Sequence, residues 1–212
     1  MALKNVFIIS GNEEYDNLFL LNNWAITLSI DDADLIVFTG GSDVSSHLYN
    51  SLSHPKTFCD ISRDRFEKTI FERCISDKKP MVGICRGGQF LNVMNGGAMW
   101  QHVTNHTCSH TIIDTATGLE VYVTSTHHQM MRPNNDATVI AIAHQKGIKE
   151  EVDKNNAIIT HLPKSDQPDV EVVLYKNTKS LCFQPHPEYY GHNSDGMRKY
   201  FFDLISQLLE LK

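Results

Sequence analysis

The stretch KPMVGICRGGQFLNVMNGG, residues 79–97, constrains the fold more than any other part of the chain. An apolar run ends at Cys85, and an amphipathic run follows it, with Gly83, Gly87 and Gly88 crowded around the thiol. A buried cysteine needs only an apolar seat, so core filling leaves the glycines unexplained. A backbone that turns sharply from strand into helix explains them. Phe90, Leu91 and Met94 supply the apolar face of that helix, which stops at Gly96 and Gly97.

Neighbouring segments extend the pattern. VFIIS (6–10) and ADLIVFTGG (33–41) are short β-branched runs ending in glycine or small polar residues, the form of strands buried on both faces and therefore parallel. Residues 60–79 place Ile61, Phe66, Ile70, Phe71, Cys74 and Ile75 along one helical face, with Asp60 or Ser62 as the N-cap. Strand, helix, strand, cysteine, helix is the beginning of a doubly wound α/β fold, a mostly parallel central sheet flanked by helices. The second half is strand-rich: LEVYVTS (119–125), ATVIAIA (137–143), NAIITHL (156–162) and VEVVLYK (170–176) lie between Asn, Asp, Gly and Pro punctuation and should extend or flank the sheet. Residues 195–212 read as an amphipathic helix. No repeat or linker interrupts the pattern, so residues 1–212 are expected to form one domain, a size that suits a single α/β unit.

Position gives Cys85 two electrostatic advantages over a core thiol. A helix N-terminus carries partial positive charge that favours a thiolate, and its unpaired N–H groups can hold an oxyanion. The alternative is a buried cysteine at a strand end. A nucleophile needs a base, and there are 11 histidines. LCFQPHPEYYGH (181–192) singles one out, because His186 lies between Pro185 and Pro187 and a residue before proline is pushed to extended geometry. In an extended segment His186 and Glu188 face the same side, and the carboxylate can fix the imidazole tautomer. The competing reading is a proline-stiffened surface loop with a solvated glutamate.

Together and in this order, the motifs GICRGGQ and HPE resemble those of the class I glutamine amidotransferase superfamily: Gly-x-Cys-x-Gly-x-Gln, then a late His-Pro-Glu. FTGGSDVSSHLYN (38–50), SRDRFE (62–67), residues 83–97 and STHHQ (125–129) are similar to the γ-glutamyl hydrolase branch, which is peptidase C26-like and includes γ-glutamyl-γ-aminobutyrate hydrolases. The resemblance spans residues 34–190 and implies a flavodoxin-like fold and a Cys85-His186-Glu188 triad that cleaves a γ-glutamyl amide through a thioester. It implies an oxyanion hole from the Arg86 N–H and one from Gly40 or Gly41. It places Gln89, His127, His128, Gln129 and Met130 around the glutamyl head group. The expected partner is a small-molecule γ-glutamyl substrate. Two further readings stay open: a glutaminase subunit passing ammonia to a separate synthase, and a non-catalytic binding module that keeps the fold. Two departures touch the substrate rather than the triad. Only about thirty residues precede DLIVFTGG, shortening the first βα unit, and His102 stands where the branch carries an acid.

No metal or organic cofactor is implied. His102, His106, Cys108 and His110 have types and spacings that could hold a transition metal. The plainer reading is a polar loop over the active site, since amide chemistry needs no ion. Arg63 and Asp64 read as a structural or rim pair at the helix start, and Cys59, Cys74, Cys108 and Cys182 as inert. A net charge of −6 leaves no basic footprint, so nucleic acid and anionic membrane are not expected partners. The odd number of cysteines suits a reducing compartment, and the start lacks the apolar core of a signal peptide. No window reaches the ~20 apolar residues of a membrane span, and the expected location is the cytoplasm.

Overall fold

The computed structural model describes residues 3–164, 166–191 and 194–209. Its first half runs β1 (Lys4–Ile9), α1 (Glu13–Leu20), β2 (Trp24–Ile26), β3 (Leu35–Phe38), α2 (Ile61–Asp77), β4 (Met81–Ile84) and α3 (Arg86–Met94). Short strands follow: β5 (Ala98–Trp100), β6 (His102–Val103), β7 (His110–Asp114), β8 (Glu120–Val123) and β9 (Met130–Arg132). The chain continues through β10 (Thr138–Ala143), β11 (Lys149–Val152), β12 (Ile158–His161), β13 (Val170–Tyr175), β14 (Ser180–Phe183) and α4 (Ser194–Leu208). Residues 210–212 of the expected last helix lie outside the described residues.

Nine strands form one sheet in the order β2-β1-β3-β4-β14-β13-β10-β7-β8. From β2 to β14 every pairing is parallel, and from β14 to β8 every pairing is antiparallel. The expected doubly wound α/β class is the observed one, and the antiparallel half is the strand-rich second half. Alternation along β3 serves both faces, as the two-residue period of a strand requires. Leu35 and Val37 join a cluster with Phe19 of α1 and Phe201 of α4, while Ile36 and Phe38 join Phe71 of α2 and Phe90 of α3. β12 flanks rather than extends this sheet, pairing with β11, which pairs in turn with β6. The first βα unit is short but closed: Asn12 caps α1 through its side chain, and β2 returns beside β1.

One helix face departs from its expected pattern. Asp60 caps α2 as its sequence indicates, and Phe71 and Cys74 are buried, but Ile61, Phe66 and Ile75 are exposed. Asp64 and Glu67 are buried in their place, at 1% and 0% exposure. Both carboxylates meet the guanidinium of Arg86 at the start of α3, so an ion cluster, not an apolar stripe, seats the first turns of α2.

Candidate active site

Three adjacent parallel strands, β3, β4 and β14, end on the same edge of the sheet, where ligands gather in open α/β folds. β4 delivers Cys85, whose N–H donates to the Phe183 carbonyl of β14 at 2.8 Å. Cys85 itself takes φ +51° and ψ −112°, a conformation that side chains avoid and that an elbow between strand and helix demands. The glycines therefore do a different job from relieving the turn. A Cβ on Gly83 would overlap the Gly87 carbonyl, and one on Gly87 would overlap the Phe38 carbonyl, so their absence lets α3 lie directly on β4 and β3.

His186 follows β14. It is not held with Glu188 in a fully extended segment, as expected. Pro187 takes the second position of a turn in which the Tyr189 N–H donates to the His186 carbonyl at 3.3 Å. The turn still brings Glu188 Oε1 to 2.6 Å from His186 Nδ1, which leaves Nε2 to the other side, 3.0 Å from Thr126 Oγ1. Tyr189 stacks on the imidazole with ring centres 4.5 Å apart. A Cβ placed on Gly40 would stand 3.3 Å from His186 Cε1 and 3.7 Å from Cys85 Cβ, so the ring and the cysteine flank the same glycine. Burial works against a charged imidazole, but the Cys85 sulfur and then Glu188 outweigh it and hold the His186 pKa up at about 11.

The β3 loop is clamped by two residues, Tyr15, which no motif marks, and Arg63, expected at the rim. Tyr15 of α1 accepts the Gly40 N–H at 2.9 Å, so this expected oxyanion donor is already engaged. Burial, Glu188 and Cys85 raise the Tyr15 pKa well above that of an ordinary phenol, so it stays neutral. Arg63 donates to the Gly40 carbonyl at 2.8 Å and the Thr39 carbonyl at 2.9 Å while paired with Glu67 at 2.7 Å. Arg63 and Asp64 are thus not a pair with each other: one holds the loop and the other holds Arg86.

A cavity of about 200 Å³ opens where these parts meet, lined by Cys85, His186, Gln89, Gly41, Asp43 and His128 among others. A larger cleft of about 660 Å³ lies between β8 and α4, far from this chemistry, and brings together no comparable set of reactive groups. Gln89 Nε2 donates to the Gln129 carbonyl at 3.0 Å and to Gln184 at 3.2 Å, and Gln184 Nε2 lies 3.7 Å from the Cys85 sulfur. His128 and Asp43 form a pair at 3.1 Å. Met130 departs from its expected place, because its side chain is sealed against Trp100 and Val103 in the core. His127 borders the cavity, yet its ring points inward to Glu171 at 3.4 Å.

The four residues weighed for a metal separate. His102 stacks on His54, 5.8 Å between ring centres, and Cys108 is exposed, whereas His106 and His110 both reach Glu171. Tyr15, Thr126, Asp43, Gln184 and Glu171 are the site's unforeseen members. For Tyr15 and Glu171 no local pattern exists. Gln184 sits beside the His-Pro-Glu motif and carries that adjacency as its only signal.

Comparison with known proteins points to one family. The family model described as Peptidase C26 matches residues 20–188. A glutamine amidotransferase-like protein, YvdE, of Lactococcus lactis subsp. lactis is 30% identical over 162 residues, covering 73% of this chain and 66% of that protein. Protein NtpR of Enterococcus hirae is 37% identical over 78 residues, 36% of this chain and 33% of its own length. The matches thus span from a third to just under two thirds of these relatives. The γ-glutamyl-CDP-amidate hydrolase of Campylobacter jejuni is 38% identical over 56 residues, 26% of this chain and 24% of that one. Among solved structures, a glutamine amidotransferase of Thermotoga maritima aligns with a TM-score of 0.62 at 14% identity, over 99% of this chain and 90% of its own. The PurLQS structure of the same organism aligns at 0.64 and 16%, over 98% and 100%. The extent of the family match and the shared fold place the chain in the Peptidase C26 family, within the class I glutamine amidotransferase-like superfamily.

Proposed function

We propose that the protein cleaves a γ-glutamyl amide by covalent catalysis at Cys85, with water as the acceptor. The observation that carries this reading is the elbow cysteine flanking the same glycine as an imidazole whose far nitrogen is fixed by Glu188 at 2.6 Å. In the first half-reaction the Cys85 thiol gives its proton to His186, the sulfur bonds to the γ-glutamyl carbonyl carbon, and the resulting oxyanion accepts from the Arg86 and Gly41 N–H groups. The C–N bond then breaks, His186 returns the proton to the leaving amine, and a thioester remains. Water attacks it, His186 takes a proton from the water, and the sulfur leaves with that proton as glutamate departs. Glu188 keeps Nδ1 protonated throughout and so presents Nε2 for each transfer.

Gln89, Gln129, Asp43 and His128 stand where the amino and carboxyl ends of a glutamyl group can be held. A relative named as a γ-glutamyl-CDP-amidate hydrolase supports water over ammonia transfer as the outcome. The test is release of amine or ammonia from glutamine and a panel of γ-glutamyl compounds. Cys85→Ala should abolish it, and His186→Ala should lower kcat by at least ~100-fold. Equal release by wild type and Cys85→Ala would refute the covalent mechanism. Turnover appearing only after a synthase is added would replace hydrolysis with the glutaminase reading.

A further inference from the structure

A second group of reactive side chains lies behind the cavity, and the cysteine chemistry does not use it. His106, His110, His127, Asp169 and Glu171 are all at least nine-tenths buried. Glu171 stands on β13, His110 opens β7, His106 precedes β7, and His127 belongs to the connection from β8 to β9. Three ring nitrogens converge on one oxygen. His106 Nδ1, His110 Nε2 and His127 Nε2 lie 3.1, 3.2 and 3.4 Å from Glu171 Oε1. The ligating atoms of His106, His110 and Glu171 fall within 4.8 Å of one another, and His127 lies outside that group.

Protons decide what this convergence means. Each imidazole turns its other nitrogen outward: His106 Nε2 to Asp169 at 2.8 Å, His110 Nδ1 to the Cys108 carbonyl at 3.1 Å, and His127 Nδ1 to the Gln129 carbonyl at 2.8 Å. All three outer partners can only accept, and so can the Glu171 carboxylate, so a neutral ring satisfies one side only. A ring that donates outward leaves a bare lone pair aimed at an oxygen that also lacks a hydrogen. Acceptors gathered without a donor repel one another, and burial aggravates the conflict. His106 Nδ1 and His127 Nε2 accordingly make no hydrogen bond, although both are within 3.4 Å of the carboxylate, and Glu171 Oε2 makes none either. Protonating one ring would satisfy one contact and leave two. A cation held between His106, His110 and Glu171 removes the conflict at both of those rings.

We propose that His106, His110 and Glu171 form a buried structural site for a zinc-type divalent transition metal. Ligands at ~2.0–2.1 Å from a tetrahedral ion lie roughly 3.3–3.4 Å apart, and His106 Nδ1 and His110 Nε2 lie 3.1 and 3.2 Å from Glu171 Oε1. Imidazoles with one carboxylate suit zinc rather than magnesium or calcium, whose shells are oxygen. The outward hydrogen bonds are the outer-shell partners that such ligands use to fix their tautomers. Lys149 pairs with Asp169 at 2.6 Å, so that carboxylate brings no uncompensated charge. All three ligands are at least nine-tenths buried, so the ion is not open to substrate. Its work is to tie β7 and the segment before it to β13.

The site is independent of the cysteine mechanism, and its test is built to separate the two. The full chain carrying Cys85→Ala, without any histidine tag, is purified from zinc-supplemented cells and analysed for metals. On the order of one zinc per chain is expected. After removal of metal with dipicolinate, Co(II) should restore about one equivalent, with the visible ligand-field bands of a tetrahedral ion and no sulfur-to-cobalt charge transfer. Asp169→Asn should weaken uptake ~10–100-fold. Glu171→Gln should abolish stoichiometric binding, and if it does not fold, the Co(II) titration and Asp169→Asn decide. Substoichiometric metal together with no tetrahedral spectrum on adding Zn(II) or Co(II) would overturn the proposal. So would a thiolate charge-transfer band, which would place the ion on Cys59 or Cys108.

Discussion

Truncating Arg86 to alanine should damage this protein more than any other single change near the elbow, and the structure sets the scale. The guanidinium is 1% exposed, contacts Asp64 and Glu67 together, and lies 5.0 Å from the centre of the Phe90 ring. The two carboxylates would fare differently without it. Glu67 keeps Arg63 at 2.7 Å, whereas Asp64 keeps only the Ser45 N–H at 3.1 Å. One buried carboxylate is therefore left without a cation. Breaking a buried pair from one side costs about 3–5 kcal/mol, a large fraction of the ~5–15 kcal/mol that holds a domain folded. For a chain of this size that loss corresponds to a Tm lower by about 6–20 °C. Urea unfolding followed by circular dichroism, extrapolated linearly to water, measures it. The control is Arg86→Met with Asp64→Leu, which removes both charges and should recover much of the loss, because apolar replacements of buried pairs roughly break even. A cost below ~1 kcal/mol for Arg86→Ala would show that water reaches the cluster and would refute the account of why α2 buries its polar face.

Two other changes probe the proposed triad. Glu188→Gln removes one of the causes that hold His186 near 11, so its pKa should fall and the alkaline limb of kcat/KM should move to lower pH. The stability linkage has the same sign: a raised histidine contributes fully below its unfolded value of ~6.5 and loses that contribution as pH rises through about 11, so the variant should lose it earlier. An unmoved limb would remove Glu188 from the proposed role. Gly40→Ala places a Cβ 2.9 Å from the Tyr15 hydroxyl and 3.3 Å from His186 Cε1. Turnover should fall ~100-fold or more from a displacement of this kind, with little change in urea midpoint; undiminished turnover would show that the ring does not need that space.

The elements legible in the sequence are those whose local signal and tertiary role coincide. β3 and β4 are apolar on both faces because they are central and parallel, and residues 33–41 and 79–84 read that way without help. The cysteine elbow is equally visible, since its glycines are demanded by backbone contacts that leave no room for a side chain. Reading fails where polarity is buried. The face of α2 is misread because Asp64 and Glu67 enter the interior against a cation twenty residues later, a pairing with no helical period. His127 looks like a pocket residue and Glu171 looks like nothing at all, since the contact that unites them joins β13 to a loop forty-four positions earlier. Short strands such as β6 and β9 carry too few residues to show alternation.

Where the sheet changes from parallel to antiparallel, the two proposed centres become neighbours. Gln184 directly follows β14 and donates its backbone N–H to the Glu171 carbonyl at 2.8 Å, across the first antiparallel boundary of the sheet. Its side chain lies 3.7 Å from the Cys85 sulfur and accepts from Gln89. The backbone that presents Glu171 to the histidines therefore also sets the position of a side chain against the nucleophile. His127 repeats the connection from the other wall: its ring points to Glu171, while the Gln129 carbonyl that fixes this ring also accepts from Gln89. A shift of Glu171 has two short routes to the elbow, each made of directional hydrogen bonds between buried groups, which pass displacement on because they cannot be exchanged for water. Loss of the ion should consequently loosen the cavity wall before it unfolds the sheet. Metal-free protein should retain its circular dichroism spectrum while Cys85 alkylates at a changed rate, and an identical alkylation rate in the two forms would show that the centres are adjacent without being coupled.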